Sequence, residues 1–262
     1  MADDHDDIVC STLAYRELPL AEGLERIAAL DFAAIEFGIF DDYTHLTVSD
    51  LAADPAGVTR RVAETVASAG LRAASVNCAV PLDTPEGARA QLGHMLELAA
   101  ALGAGIVTIE APARGTELER AAEMLRPLVA QAQAAGVALA VETHVFFVTE
   151  VPADAARLAE LVPGLGLTLD PAHFSAGPGR GDPLDALYPF VRHLHVRDAG
   201  ATWAEIQVDM GTGEVDFPSV FAALREHGFD GLRVIEYIGD GQAIGIEGNL
   251  AAARASLREG WA

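Results

Sequence analysis

Short apolar runs alternate with longer amphipathic stretches along the whole chain. We predict eight strands from the apolar runs, at residues 8–13, 33–38, 72–78, 105–111, 137–143, 165–170, 191–196 and 232–237. A helical pattern follows each run, as in residues 87–103, where Leu92, Met95, Leu96 and Ala99 recur at spacings of three and four. This alternation is typical of βα units on a parallel sheet.

The predicted helices share start and stop signals. At the starts, a side chain that can cap a helix precedes a proline, which fits the first turn, at Asp54–Pro55, Thr84–Pro85 and Asp182–Pro183. At the ends, a glycine suited to the left-handed closing position precedes the next strand, at Gly70, Gly136 and Gly228. These signals support the element boundaries.

Eight βα units in a chain of 262 residues predict a single (β/α)₈ TIM barrel over residues 1–262. In that fold the active site lies at the C-terminal ends of the strands. An open doubly wound sheet is the alternative, but no glycine-rich dinucleotide-binding motif follows the first strand.

The composition limits the location and the chemistry. The chain is 51% hydrophobic, yet no apolar run approaches the roughly 18 residues of a membrane span. Its first residues, MADDHDDIVC, are acidic and lack the features of a signal peptide. With only Cys10 and Cys78, a disulfide framework is excluded. We therefore expect a cytoplasmic protein with no membrane partner.

The charge excludes further classes. A formal net charge of −22 argues against a nucleic-acid partner, because phosphates require a basic surface. All 17 basic residues are arginines. Without lysine, the chain cannot carry Schiff-base aldolase chemistry, a lysine-anchored pyridoxal phosphate or a Walker-type phosphate loop.

Four consecutive predicted strands end in residues that can bind a metal. They are Glu142, Asp170, His195 and Glu236, each five or six residues from the start of its strand, so all four should reach a similar height. Three carboxylates at one barrel mouth repel each other unless a divalent cation compensates them. One imidazole with three carboxylates favours Mn²⁺, with Mg²⁺, Co²⁺ and Zn²⁺ as alternatives.

Four motifs follow one another on the last four predicted strands: VETH, LDPAHF, HLHVRD and VIEY. In this order and on these strands, they resemble the xylose isomerase-like TIM barrel superfamily and its sugar phosphate isomerase/epimerase branch. The resemblance covers nearly the whole chain. It implies that Glu142, Asp170, His195 and Glu236 bind the metal. It also implies that Glu142 and Glu236 are the catalytic acid–base pair and that His173 contacts the substrate.

The implied activity is that of a metal-dependent isomerase or epimerase of a sugar or polyol ketone. A metal that chelates a carbonyl and its neighbouring hydroxyl stabilises the enediolate formed by proton loss. Return of the proton to the other face gives epimerisation, and its return to the neighbouring carbon gives isomerisation. Departure of a β-hydroxide gives dehydration, so a dehydratase of the inosose or dehydroshikimate type is the alternative.

The strand-five motif narrows the substrate. Ketose 3-epimerases of this branch carry an asparagine–arginine pair shortly after the strand-five glutamate, whereas this chain reads ETHVFFVTE. The difference argues against a free-ketose 3-epimerase and leaves inososes, hydroxypyruvate-like compounds and other polyol carbonyls open. An abasic-site endonuclease is disfavoured by the charge, and a non-catalytic barrel subunit by the complete ligand set.

Further polar residues follow the strands. His144 either contacts the substrate or hydrogen-bonds to a carboxylate, and Arg197 is a candidate for a substrate anion. Within HLHVRD, we expect His193 to be a buried interior residue and Asp198 to fix the following loop. Glu36 and Glu110 are weaker candidates for the mouth. Asn77 is a candidate for orienting a substrate hydroxyl, and Arg180 for binding a substrate phosphate or carboxylate. Phe146, Phe147 and Trp203 form either an apolar wall or lid or a subunit contact, since members of this superfamily often form homo-oligomers.

Overall fold

The computed structural model describes residues 8–41, 44–239 and 245–261. Within these ranges eight parallel strands close into one barrel in chain order, and β1 pairs with β8. The strands are β1 (Ile8–Ser11), β2 (Ala34–Ile39), β3 (Arg72–Cys78), β4 (Ile106–Ile109), β5 (Ala138–Glu142), β6 (Gly166–Leu169), β7 (Val191–Val196) and β8 (Leu232–Ile235). The predicted (β/α)₈ barrel is confirmed.

Helices pack around the barrel. They are α1 (Leu20–Ala29), α2 (Val48–Ala53), α3 (Pro55–Ser68), α4 (Pro85–Leu102), α5 (Leu118–Ala134), α6 (Pro152–Leu161), α7 (Pro171–Ser175), α8 (Phe217–Glu226) and α9 (Ile246–Gly260). Their apolar faces meet the outward side chains of the strands and form the hydrophobic core. Among the described residues, no helix combines the length and hydropathy that a bilayer span requires.

Two of the three predicted helix starts are confirmed. The Asp54 carboxylate accepts a hydrogen bond from the Gly57 N–H at the start of α3, and the Thr84 hydroxyl accepts one from Gly87 at the start of α4. The three predicted closing glycines have positive φ, at 72° for Gly70, 73° for Gly136 and 69° for Gly228. Only glycine adopts this conformation without a steric penalty.

The predicted helix start at Asp182–Pro183 is wrong. No α-helix begins there, and a 3-10 turn, Tyr188–Phe190, leads directly into β7. A second proline, Pro189, lies only six residues after Pro183. Because a proline inside a helix removes an N–H donor and collides with the preceding turn, the segment has no room for a regular helix.

The first strand is shorter than predicted. β1 ends at Ser11, whose hydroxyl accepts a hydrogen bond from the Leu13 N–H and caps a 3-10 helix, Thr12–Tyr15. A serine that bonds to the backbone two residues ahead favours such a turn over an extended strand.

The interior of the barrel contains a layer of buried polar side chains. These are Glu36 on β2, Ser75 on β3, Thr108 on β4, Thr168 on β6 and His193 on β7. The hydroxyls of Thr108 and Thr168 lie 2.8 Å apart across the barrel. Because a buried polar group must be hydrogen-bonded to be tolerated, this layer holds its members in fixed positions directly beneath the mouth.

Candidate metal and substrate site

The structure brings the four predicted metal ligands together. Glu142 is the last residue of β5, and His195 is the last but one of β7. Asp170 and Glu236 directly follow β6 and β8. Each residue offers one ligand atom, these atoms all lie within 4.8 Å of one another, and all four residues are buried. Similar depth in four parallel strands therefore places the four side chains at one point.

His195 is hydrogen-bonded at both ring nitrogens. Its Nδ1 lies 3.1 Å from Oε1 of Glu142 and 3.3 Å from Oε2 of Glu236. Its Nε2 lies 3.0 Å from Oε1 of Glu36, on the other side of the ring. A histidine held by a carboxylate at one nitrogen presents the other nitrogen in a fixed direction. Here that nitrogen is Nδ1, which faces the other ligand residues.

Glu36 lies below the ligands and not at the mouth, so the mouth position expected for it is wrong. Its other oxygen, Oε2, lies 3.0 Å from Nε2 of His193 and accepts a hydrogen bond of 2.9 Å from the Ser75 hydroxyl. Glu36 is the third of six residues in β2, which places it deep in the barrel. His193 is fully buried beside it, as predicted. Ser75 was not among the candidates from the sequence.

Arg197 is the cation nearest to the ligand residues on the cavity side. Its Nη2 donates to Oδ2 of Asp170 at 2.7 Å and lies 3.6 Å from Oε2 of Glu236. The same nitrogen lies 2.7 Å from Nε2 of His173, which therefore acts as an acceptor. Arg197 is buried, so this ion pair is formed away from bulk water.

Burial and mutual repulsion shift the titration of the site. Burial raises the pKa of Glu236 to about 8, and the charge of Glu142 adds to the effect. Burial acts to lower the pKa of His195, but the carboxylates of Glu236 and Glu36 raise it well above its usual range. Burial likewise opposes the charge of Arg197, but Asp170 and Glu236 raise the pKa of that guanidinium. Positive charge is thus strongly favoured at the centre of this cluster.

The residues fit a divalent cation. One imidazole nitrogen and several carboxylate oxygens converge on one buried point, and such an oxygen-rich set suits a hard or borderline divalent ion. The carboxylates that raise the pKa of His195 favour a positive charge at this point, and a cation would supply that charge in place of the proton. Glu142, Asp170, His195 and Glu236 form a candidate metal site.

A cavity of about 520 Å³ opens above these residues. His144, His173 and Arg197, the three residues expected to contact a substrate, all line it. Asn77 also lines it, and its amide donates to Oε1 of Glu236 at 3.0 Å. Glu110 lines it as well, and burial together with the charge of Glu142 raises the pKa of its carboxyl.

Two further candidates lie outside the cavity wall. Arg180 binds Oε2 of Glu214 at 2.6 Å on the surface and does not line the cavity. Asp198 is buried, and its carboxylate accepts backbone hydrogen bonds from Ala199, Gly211 and Gly213, each at 2.9 Å. The prediction that Asp198 fixes the loop after β7 is confirmed.

Comparison with known proteins adds the family. A family model described as "Xylose isomerase-like TIM barrel" matches residues 24–260. A sequence search against curated proteins gives no match.

Solved structures share the fold at low identity. A xylose isomerase-like TIM barrel protein from Mycobacterium smegmatis in complex with magnesium has a TM-score of 0.77 and 17% identity, covering 98% of both chains. D-allulose 3-epimerase from Methylomonas sp. has a TM-score of 0.74 and 16% identity, covering 97% of both chains. The probable 3-DHS dehydratase AsbF from Bacillus anthracis has a TM-score of 0.73 and 16% identity, covering 96% of this chain and 98% of its own.

Proposed function

Since the chain belongs to the xylose isomerase-like TIM barrel family, we propose that it is a divalent-metal-dependent isomerase or epimerase of a small polyhydroxy carbonyl compound. The observation that carries this proposal is the convergence of Glu142, Asp170, His195 and Glu236 beside an open cavity, which Glu142 and Glu236 line. Mn²⁺ is the ion that we favour for this set, with Mg²⁺, Co²⁺ and Zn²⁺ as alternatives.

We propose that two glutamates move the proton. Glu142 and Glu236 come from β5 and β8, which are separated by β6 and β7, so they approach the centre of the mouth from different sides. Both line the cavity. A bound divalent cation would polarise the substrate carbonyl and so acidify the adjacent C–H. One glutamate can then remove that proton while the other returns one to the opposite face.

The two glutamates lie in different electrostatic surroundings. Burial raises the pKa of Glu236 to about 8, whereas the neighbouring His195 holds the pKa of Glu142 below its usual value in spite of burial. We propose that Glu142 and Glu236 form the acid–base pair and that they exchange roles between the forward and the reverse reaction.

The surrounding residues would bind and orient the substrate. The Asn77 amide donates to Oε1 of Glu236. Oε2 of Glu236 therefore lies on the side of His195 and Arg197. The rings of His144 and His173 have centroids 3.7 Å apart, are tilted by 40° to each other, and both line the cavity. We propose that His144, His173 and Arg197 contact the hydroxyl and carbonyl oxygens of the substrate.

Solvent exchange tests the proposal. In D₂O with MnCl₂, we expect deuterium at the carbon next to the carbonyl in at least one member of a panel of ketoses and inososes, without loss of water. Glu142→Gln and Glu236→Gln should each slow this exchange about a hundredfold or more, because proton transfer loses its acid or base. Mass spectrometry measures both the deuterium and the water.

Metal analysis supplies the control. Glu110→Gln alters a cavity glutamate outside the ligand cluster and should leave the bound metal unchanged, whereas Asp170→Asn should reduce it. Loss of water from the substrate would identify the activity as that of a dehydratase instead of an isomerase. Absence of both bound metal and exchange would overturn the proposal.

We also propose a cellular location and partners for this protein. The net charge of −22 supports a small-molecule substrate over nucleic acid. Cys10 and Cys78 are free and buried, which is compatible with the proposed reducing, cytoplasmic location. A homo-oligomer is proposed on the family resemblance alone.

A further inference from the structure

Two aromatic rings stand exposed at the mouth of the cavity. Phe146, in the loop after β5, is 48% exposed, and Trp203, in the loop after β7, is 47% exposed. They are the exposed large hydrophobic residues among those that the structure describes. Their ring centroids lie 4.9 Å apart in an edge-to-face arrangement, and both line the cavity. Hereafter they are called the aromatic pair.

Phe146 is held at the mouth against its conformational preference. Its φ is 76°, in the left-handed region that a bulky side chain rarely adopts. Its carbonyl accepts a hydrogen bond of 2.8 Å from the Arg114 N–H, and its own N–H donates to Glu150 at 3.0 Å. The Arg114 guanidinium pairs with Glu150 and lies 5.4 Å from the Phe146 ring. A ring that is fixed in a strained and exposed position is typical of a ligand clamp.

The aromatic surface continues from the mouth to the ligand cluster. The Trp203 ring is nearly parallel to His173, at 6.1 Å and 22°, and lies 6.2 Å from His144. Nε2 of His173 is 3.6 Å from Oδ2 of Asp170. A substrate that reaches Glu142 and Glu236 and extends toward the mouth of the cavity therefore passes these rings.

The walls above the floor are mainly apolar. They include Leu13, Phe40, Phe147, Ile206 and Ile238 in addition to the aromatic pair. The amide of Gln207, a polar residue at this level, donates to the carbonyl and accepts from the N–H of Ile238. Arg16 also lines the cavity, but a substrate with a hydroxyl on every carbon would meet too few polar groups here to replace its hydrogen bonds to water. A substrate with an apolar ring at this end would gain by leaving water.

We propose that the substrate has two unlike ends: a hydroxy carbonyl group that meets Glu142 and Glu236, and a planar apolar ring that packs against Phe146 and Trp203. The inference rests on the proposed function for its first end and on the cavity wall for its second. It makes the aromatic pair the specificity determinant of this site.

Two hydroxy ketones that differ only in the ring test the inference. 2-Hydroxyacetophenone carries a phenyl group where hydroxyacetone carries a methyl group. With the Mn²⁺-loaded protein, calorimetry should give a Kd about tenfold or more lower for the phenyl compound, from the apolar area that it buries. Phe146→Ala and Trp203→Ala should each remove most of that preference and leave the hydroxyacetone Kd unchanged.

Fluorescence gives a second readout. Trp203 and Trp261 are the two tryptophans of the chain, so Trp261→Phe leaves Trp203 as the only indole. The phenyl compound should change the emission of that variant, and hydroxyacetone should not. Phe229→Ala is the matched control, because Phe229 is a partly buried ring that packs near Trp261 and does not line the cavity.

The outcomes separate this inference from the proposed function. Equal affinity for the two ketones would overturn the inference even where deuterium exchange occurs. An equal loss of affinity for both ketones in the two variants would also overturn it. A ring preference without exchange would leave the inference standing and remove the proposed reaction. Dissociation of an oligomer by Phe146→Ala and Trp203→Ala, with no change in ring preference, would assign the pair to a subunit contact and overturn it.

Discussion

His195 has a hydrogen-bond partner on each ring nitrogen, and this decides which nitrogen faces the cavity. Glu36 holds Nε2 from below, while Nδ1 points to Glu142 and Glu236. Glu36 is in turn held by His193 and by the Ser75 hydroxyl. His195 and the three residues beneath it, Glu36, His193 and Ser75, are fully buried. This hydrogen-bond network therefore has little freedom to relax when one partner is changed. At the residue scale, the geometry of the four proposed ligands therefore depends on Glu36, a carboxylate outside the proposed set.

Glu36→Gln tests this dependence. We expect the Kd for Mn²⁺ to rise about 10- to 100-fold, because the amide keeps the volume but loses the charge that orients His195. Isothermal titration calorimetry measures the affinity. Ser75→Ala removes one hydrogen bond to Glu36 and leaves the carboxylate, so its effect should be much smaller. An unchanged Mn²⁺ affinity in Glu36→Gln would contradict a positioning role.

At the element scale, the loop after β7 is organised by the strand that precedes it. The Asp198 carboxylate accepts the backbone N–H groups of Ala199, Gly211 and Gly213, and its own N–H donates to the Tyr237 hydroxyl at 3.1 Å. That hydroxyl donates to the Val208 carbonyl. The same loop carries Trp203, so a buried aspartate and a buried tyrosine fix the element that presents one ring of the aromatic pair.

Asp198→Ala should loosen this loop. The buried N–H of Ala199 and the partly buried N–H groups of Gly211 and Gly213 lose a charged acceptor, and we expect the free energy of unfolding to fall by about 3 kcal/mol. Hydrogen–deuterium exchange should rise in peptides that cover residues 199–216, and urea unfolding should report the stability. Asp216→Ala removes an exposed cap of α8 and should cost only about 1 kcal/mol. Equal losses of unfolding free energy in Asp198→Ala and Asp216→Ala would contradict the role of Asp198 in fixing the loop.

At the scale of the whole molecule, the chain combines a strongly acidic surface with a compact acidic centre. The net charge is −22, and four buried carboxylates, Glu36, Glu142, Asp170 and Glu236, meet near the mouth of one barrel. Within the described residues, the buried guanidinium of Arg197 pairs with Asp170, and the carboxylates of Glu236 and Glu36 raise the pKa of His195 well above its usual range. Self-repulsion of this kind destabilises a folded chain until a cation or salt compensates it.

Divalent cations should therefore stabilise the fold more than salt alone. After treatment with a chelator, Mn²⁺ at about 100 times its Kd adds about 2.7 kcal/mol and should raise the Tm by about 5 °C. Calorimetry measures the shift. NaCl at matched ionic strength screens the surface without occupying the site and serves as the control. Equal shifts with NaCl and MnCl₂, or an undiminished Mn²⁺ shift in Asp170→Asn, would contradict specific binding.

The sequence by itself determined the barrel and the four residues at its centre. Alternation of short apolar runs with amphipathic stretches has few folded solutions, and parallel strands of similar length end at the same rim. Glu142, Asp170, His195 and Glu236 were therefore predictable from their place in each strand. The left-handed glycines and the proline starts of α3 and α4 were predictable because their conformational limits are local.

Only the tertiary structure decided which polar groups touch. Glu36 meets His195 inside the barrel, 159 residues away, and Asn77 meets Glu236 at the same separation, because closure of the sheet at β1 and β8 leaves only two strands between β2 and β7 and between β3 and β8. The pairing of Arg197 with Asp170 and the apolar wall above them depend on loop geometry that no local pattern encodes. Local patterns fix elements, whereas contacts between distant residues arise only when the barrel closes.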